Sequence, residues 1–142
     1  MDKISVVEQI INYANEQLSA IGLKEYEIKI FKRKHLSSLL SLKTDILMKI
    51  VCDEFDVSHE QIVGKKRDAD IIDARFMFCY LATEIVNMTR VAVGRIINRH
   101  HTTIINAIRT CQHRCEHETA MRNHLYYIKK RYYEYYENCT EA

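Results

Sequence analysis

Proline and tryptophan are absent from this 142-residue sequence, and glycine occurs only three times, at Gly22, Gly64 and Gly94. So few turn-forming residues exclude collagen-like, Pro/Gly-rich disordered and turn-dense all-β classes. No apolar run approaches the roughly 18 residues needed to cross a bilayer. Asp2 stands near the start and no apolar block follows it, so a secretory signal is not expected. Five cysteines without such a signal read as reduced thiols of a cytoplasmic protein. What is present is a chain 47% hydrophobic and 28% charged. At this length one domain is the default, burying roughly 70% of its extended surface without staples.

The formal net charge of +2 conceals an uneven distribution. Residues 1–43 carry a net +2, residues 44–84 a net −4, and residues 116–142 a net −1. Between them, residues 85–115 hold Arg90, Arg95, Arg99, Arg109 and Arg114 with no acid at all. Unopposed arginines of this kind suit a polyphosphate partner, although a solvated basic face gives the same count.

Apolar spacing points to helices throughout. Ile4, Val7, Ile10, Ile11, Ala14 and Leu18 predict an amphipathic helix over 4–19 that ends near Gly22. Tyr26–Ile30 alternates apolar and charged residues, which reads as a short strand or as the approach to the next helix. A helix is expected from Thr44 through Ile46, Leu47, Ile50, Val51 and Phe55. Ser58 and Gln61 form a capping-box pattern that starts a short helix stopped by Gly64. Asp70 is the expected cap of the most apolar helix, about 71–86, which should be central and buried. Thr89 should cap a short helix over 90–97, a break at Asn98-Arg99 precedes a helix over 101–116, and Thr119 restarts the last one. Its stripe uses Leu125, Ile128, Tyr132 and Tyr135 or Tyr136.

Two short helices around a tight break, the second opening Arg99-His100-His101-Thr102-Thr103, have the pattern of a helix-turn-helix. In that motif the N-terminal residues of the second helix face base edges, and its free amides suit a phosphate. All five of these side chains can donate hydrogen bonds. Ile104, Ile105, Ala107 and Ile108 would anchor the same helix to the core.

The segment resembles the C-terminal DNA-binding domain of the bacterial replication initiator DnaA. That family opens its recognition helix with a Gly-Gly-Arg-Asp-His-Thr-Thr-like string, and this chain has Asn98-Arg99-His100-His101-Thr102-Thr103. Upstream, Ile62-Val63-Gly64-Lys65-Lys66-Arg67, Ala74-Arg75 and Leu81-Ala82-Thr83-Glu84 stand in the family's order. The fit runs from about Thr44 to Cys111, with one residue fewer just before Arg99. The resemblance implies an all-α fold of the Trp-repressor/DnaA C-terminal type over 44–142; residues 1–43 resemble no part of the initiator and are expected as a helical extension that packs on the core or makes a partner surface. The resemblance also implies DNA contacts for Arg67, Arg75, His101, Thr102 and Thr103, and with Lys66, Arg90, Arg99 and His100 read from the chain itself these make the expected DNA-binding set. Arg67 would enter the minor groove, Arg75, Arg99 and Thr103 would meet the backbone, and His100, His101 and Thr102 would face bases.

Departures from the family pattern bear on that set. His100 replaces a base-reading aspartate, exchanging a pure acceptor and good helix cap for an imidazole. Arg90-Val91 stands where the family has Leu-Pro. No Gly-x-x-x-x-Gly-Lys-Ser/Thr loop occurs, so the initiator's ATP chemistry is not expected here, nor any other catalysis, nucleotide or cofactor. The implied function is sequence-specific binding of double-stranded DNA in replication initiation or its regulation, by a stand-alone protein. The alternative is a helical protein–protein adaptor, or a transcriptional regulator that kept the fold. Cys111, His113, Cys115 and His117 invite a zinc reading, but on a helix the histidines lie about 200° from the cysteines, so no metal is expected. Tyr126, Tyr127, Tyr132, Tyr133, Tyr135 and Tyr136 fit core packing, with another replication protein or a second copy as the partner for what stays exposed.

Overall fold

A computed structural model describes the backbone of residues 25–140 and the side chains of residues 40–135. The helix expected over 4–19 lies outside the described residues. Six helices follow in order among the described residues: α1 Glu25–Phe55, α2 His59–Val63, α3 Ala69–Glu84, α4 Arg90–Ile97, α5 His101–His117 and α6 Thr119–Thr140. The fold is all-α, as expected. Lys43–Tyr132 forms one compact unit, and it contains the whole helix-turn-helix region.

Two local expectations are corrected. Tyr26–Ile30 is neither strand nor approach but part of α1, which runs unbroken for 31 residues. Five alternating residues without a partner strand do not sustain a sheet, and no glycine or proline interrupts this stretch. The apolar helix begins at Ala69, with Asp68 at its N-cap and no side-chain cap bond. Asp70 instead lies in the first turn, where its carboxylate meets the positive end of the helix dipole.

Other boundaries follow their local chemistry. Ser58 and Gln61 close a capping box: the Gln61 amide donates to Ser58 Oγ (3.1 Å), and the Ser58 amide donates to Gln61 Oε1 (2.9 Å). Thr89 Oγ1 accepts from the Ala92 amide at 3.1 Å and starts α4. Glycine scarcity is met by other residues at several helix ends. Asp56, Asn87 and Asn98 take φ of 52°, 62° and 57°, the left-handed conformation that Asn and Asp tolerate best after Gly.

The core centres on α3, which packs most extensively on α5 and also meets α2 and α4. Met77, Phe78, Leu81, Val93, Ile104 and Cys111 have no exposed surface. Full burial of each large apolar side chain contributes about 1.5–3 kcal/mol. Ile128 and Tyr132 of α6 are equally buried, whereas Tyr126, Tyr127, Tyr133 and Tyr135 are exposed. Among the described residues the tyrosine stripe therefore supplies one core ring and leaves four at the surface, Tyr136 lying outside the described side chains. His124 of α6 lies 3.0 Å from Glu54 of α1 and against the Phe55 ring, tying the ends of the unit together.

Candidate nucleic-acid interface

The turn between α4 and α5 is built on Gly94. Its carbonyl accepts from the backbone amides of Asn98 and of Arg99, the latter at 2.8 Å, while Asn98 takes the left-handed conformation. A Cβ on Gly94 would lie 2.4 Å from the Arg99 carbonyl oxygen. Only glycine admits this approach of the turn to the helix behind it. Val93, Ile97 and Ile104 are buried around it, so the angle between α4 and α5 is set by packing.

His100 caps α5. The Thr102 amide donates to His100 Nδ1 at 3.3 Å, and the Thr102 hydroxyl lies 2.8 Å from the same nitrogen. An imidazole nitrogen accepts only when unprotonated, so this cap belongs to the neutral ring with its proton on Nε2. His101 stacks on His100 with centroids 4.2 Å apart. His101, Thr102 and Thr103 are all exposed, as are Asn106, Arg109 and Thr110 further along α5. His100→Asp is expected to raise stability by about 0.5–1 kcal/mol, because aspartate is a stronger cap and favours the helix dipole. The check is the urea midpoint, and a lower midpoint would show that His100 holds more than a cap.

The basic loop Lys65-Lys66-Arg67 lies beside this turn. A cleft of about 420 Å³ is lined by Lys65, Arg67, Ile72, Arg75, Phe76, Asn98, Arg99 and Thr103. Four cations and the Thr103 hydroxyl thus converge from three separate stretches of chain. Arg75, buried at 8% exposure, donates from Nε to the Ile62 carbonyl (2.9 Å) and from Nη2 to those of Gln61, Gly64 and Lys66 (each 3.2 Å). Burial first, then the neighbouring Arg99 cation, lowers its pKa from the ordinary arginine value. Arg99 Nη1 donates to the carbonyls of Val63, Ile97 and Asn98 (each 3.1 Å), and Nη2 donates to that of Gly64.

The nine residues expected at a DNA surface therefore fall into groups. Arg67, Arg75, Arg99 and Thr103 share the cationic cleft. Arg90 and His101 share a second cleft of about 690 Å³ between the ends of α3, α4 and α5. Arg99, His100 and His101 line a third, with Arg95. Lys66 and Thr102 are exposed, Thr102 against His100. Sequence reasoning passed over Lys65, Arg95, Asn98 and Asn106. Lys65 was legible as part of the basic run, and Asn106 as the exposed residue one turn beyond Thr102 and Thr103.

The Cys/His cluster is divided by burial. Cys111 and Cys115 are in the core and His113 and His117 are exposed, their rings 4.4 Å apart. Burial raises both thiols and pushes Cys79 up to about 12, which makes them inert core groups. No group of three or more candidate metal ligands occurs among the described residues.

Comparison with known proteins bears on this same stretch. Residues 44–111 match the family described as the bacterial dnaA protein helix-turn-helix. Over that stretch, just under half of the chain, the sequence is similar to the DnaA helix-turn-helix. The match begins in α1 and ends in α5, so it includes the basic loop, the Gly94 turn and the His100 cap. The chromosomal replication initiator protein DnaA of Leptospira biflexa is 27% identical over 90 residues, 63% of this chain and 20% of that protein. DnaA of Mycoplasma capricolum is 35% identical over 81 residues, 56% of this chain and 18% of the relative. The chain thus spans about a fifth of the length of the DnaA relatives it matches. A crystal structure of a DNA replication initiation factor has the same fold, with a TM-score of 0.55 and 20% identity, covering 89% of this chain and 47% of that one. The opening His101-Thr102-Thr103 and the His100 cap both lie within the matched residues.

Proposed function

We propose that this chain binds double-stranded DNA sequence-specifically through α4 and α5, in replication initiation or its regulation. The observation that carries this reading is the convergence of the basic loop and the exposed N-terminus of α5 around one cationic cleft. A helix N-terminus set in a groove offers free amides to phosphate and its first side chains to base edges. Arg67 would occupy the minor groove, where narrow A·T-rich DNA favours arginine. Lys66 and Arg90 would meet the backbone, with Thr103. His101 and Thr102 would face base edges, joined by His100 through Nε2–H. The role is binding, without catalysis or cofactor, in the cytoplasm. The DnaA relatives support the replication setting, and Arg90, Arg95 and Arg109 support a polyanionic partner, whereas Arg114 is paired with Asp73 and Glu118.

Selection of bound duplexes from a random library tests this reading. One enriched motif is expected for the wild type, and His100→Asp is expected to change preference at a single position, by about 1–3 kcal/mol in base discrimination. Enrichment of no motif, with no duplex binding at low salt, would instead favour a protein–protein adaptor.

A further inference from the structure

Arg75 and Arg99 make unusual use of their guanidinium groups. Together they donate eight hydrogen bonds, all to backbone carbonyls. Six of these bonds go to carbonyls between Gln61 and Lys66 and two to the turn at Ile97 and Asn98, and both arginines meet at Gly64. The last carbonyls of α2 have no helical donors of their own and carry the negative end of its dipole. Two cations set side by side repel, and a concentration of carbonyl dipoles offsets that repulsion.

We infer that Arg75 and Arg99 are positioning residues that hold the Lys65–Arg67 loop at a fixed place beside the α4–α5 turn, rather than ligands of DNA phosphate. Arg75 fixes the loop from below, bonding Gly64 and also Lys66, the residue just before Arg67. Arg99 belongs to the turn and reaches 35 residues back to Gly64. The pair thus couples the element proposed for the minor groove to the helix proposed for the major groove. Ordering the loop before binding lowers the entropy lost when both grooves are engaged. Lysine cannot substitute, because one ammonium cannot span four carbonyls arranged around a planar fork.

This inference rests on the DNA-binding reading for its consequence but not for its geometry, so the test has two arms on the full chain. In the first, Arg75→Lys is combined with Arg67→Ala and, separately, with Arg90→Ala, and duplex affinity is measured. Arg75→Lys is expected to weaken binding about tenfold in the wild type and in Arg90→Ala, but less than about twofold in Arg67→Ala, because it acts through Arg67. Equal losses in all three backgrounds would make Arg75 an independent DNA contact and overturn the inference. In the second arm, hydrogen exchange is followed without DNA in Arg99→Lys, a milder change in a half-buried side chain. Exchange at the amides of residues 64–67 is expected to rise about tenfold while the amides of α3 stay protected. Unchanged exchange in the loop would overturn the clamp itself. Loss of the clamp signal with intact duplex binding sinks this inference alone, whereas a clamp signal in a chain that binds no duplex sinks the DNA reading.

Discussion

Gly94→Val is expected to lower the stability of the domain by about 3 kcal/mol, and Gly94→Ala by about 1–2 kcal/mol. Two effects compete at this position. Alanine inside a helix gains about 1 kcal/mol over glycine from backbone entropy. Against that, the added Cβ would stand 2.4 Å from the Arg99 carbonyl oxygen. Both partners are fixed to the main chain, so no rotamer change relieves the contact and the turn itself must move. Overpacking of this kind costs about 1–3 kcal/mol or more, and the clash wins. Valine adds branched atoms next to Ile104, whose Cγ1 is already 3.6 Å from the alanine Cβ position, and forfeits alanine's propensity gain. Urea unfolding reads the effect as a lower midpoint with an unchanged slope. A higher midpoint for Gly94→Ala would mean that the turn yields easily and that propensity decides.

The second large effect concerns binding with little change in stability. Replacing Lys65, Lys66 and Arg67 together by alanine is expected to reduce duplex affinity by about 100–1,000-fold near 0.1 M salt. The slope of log affinity against log salt should fall by about 0.9 for each phosphate contact removed, or about 2.7 if all three contribute. All three side chains are exposed, and exposed substitutions away from caps and cores usually shift stability by less than about 0.5 kcal/mol. The thermal unfolding curve of the triple variant should therefore overlay the wild type. A full affinity loss with an unchanged salt slope would contradict phosphate neutralisation by this loop.

The two expectations bracket the division of labour in this domain. Under the proposed DNA binding, Gly94 and the Arg75–Arg99 pair would govern where the DNA-facing groups sit, while the loop and the α5 N-terminus would supply the groups themselves. His100 would belong to both categories, since it caps α5 through Nδ1 and leaves Nε2 outside the cap.

Much of this was legible along the chain because the signals are local. Ser58 with Gln61 and Thr89 with the Ala92 amide cap helices over three residues, and a capping pattern is readable wherever both partners are that close. The buried face of α3 was visible as a dense apolar run. The bounds of α5, His101–His117, fell within one residue of the 101–116 expected after the break at Asn98-Arg99. Local signals also misled where they were weak. Tyr26–Ile30 alternates like a strand, but an isolated strand has no partner to satisfy its backbone, and α1 absorbed it. Asp70 looked like a cap by type, although Asp68 holds that position.

The absence of proline and the three glycines excluded the turn-dense classes, and apolar spacing pointed to the helices that the described residues form. The order of Gly64-Lys65-Lys66-Arg67, Ala74-Arg75 and His101-Thr102-Thr103 carried the resemblance to the DnaA helix-turn-helix that residues 44–111 match. Tertiary structure alone decided that Gly94 is the glycine the turn cannot lose, and that Arg75 and Arg99 spend their donors on carbonyls of their own chain. Arginine has the same five donors whether it meets a phosphate or a helix end. Which of these it meets depends on carbonyls brought beside it from as far as 36 residues away, and that proximity exists only once the chain is packed.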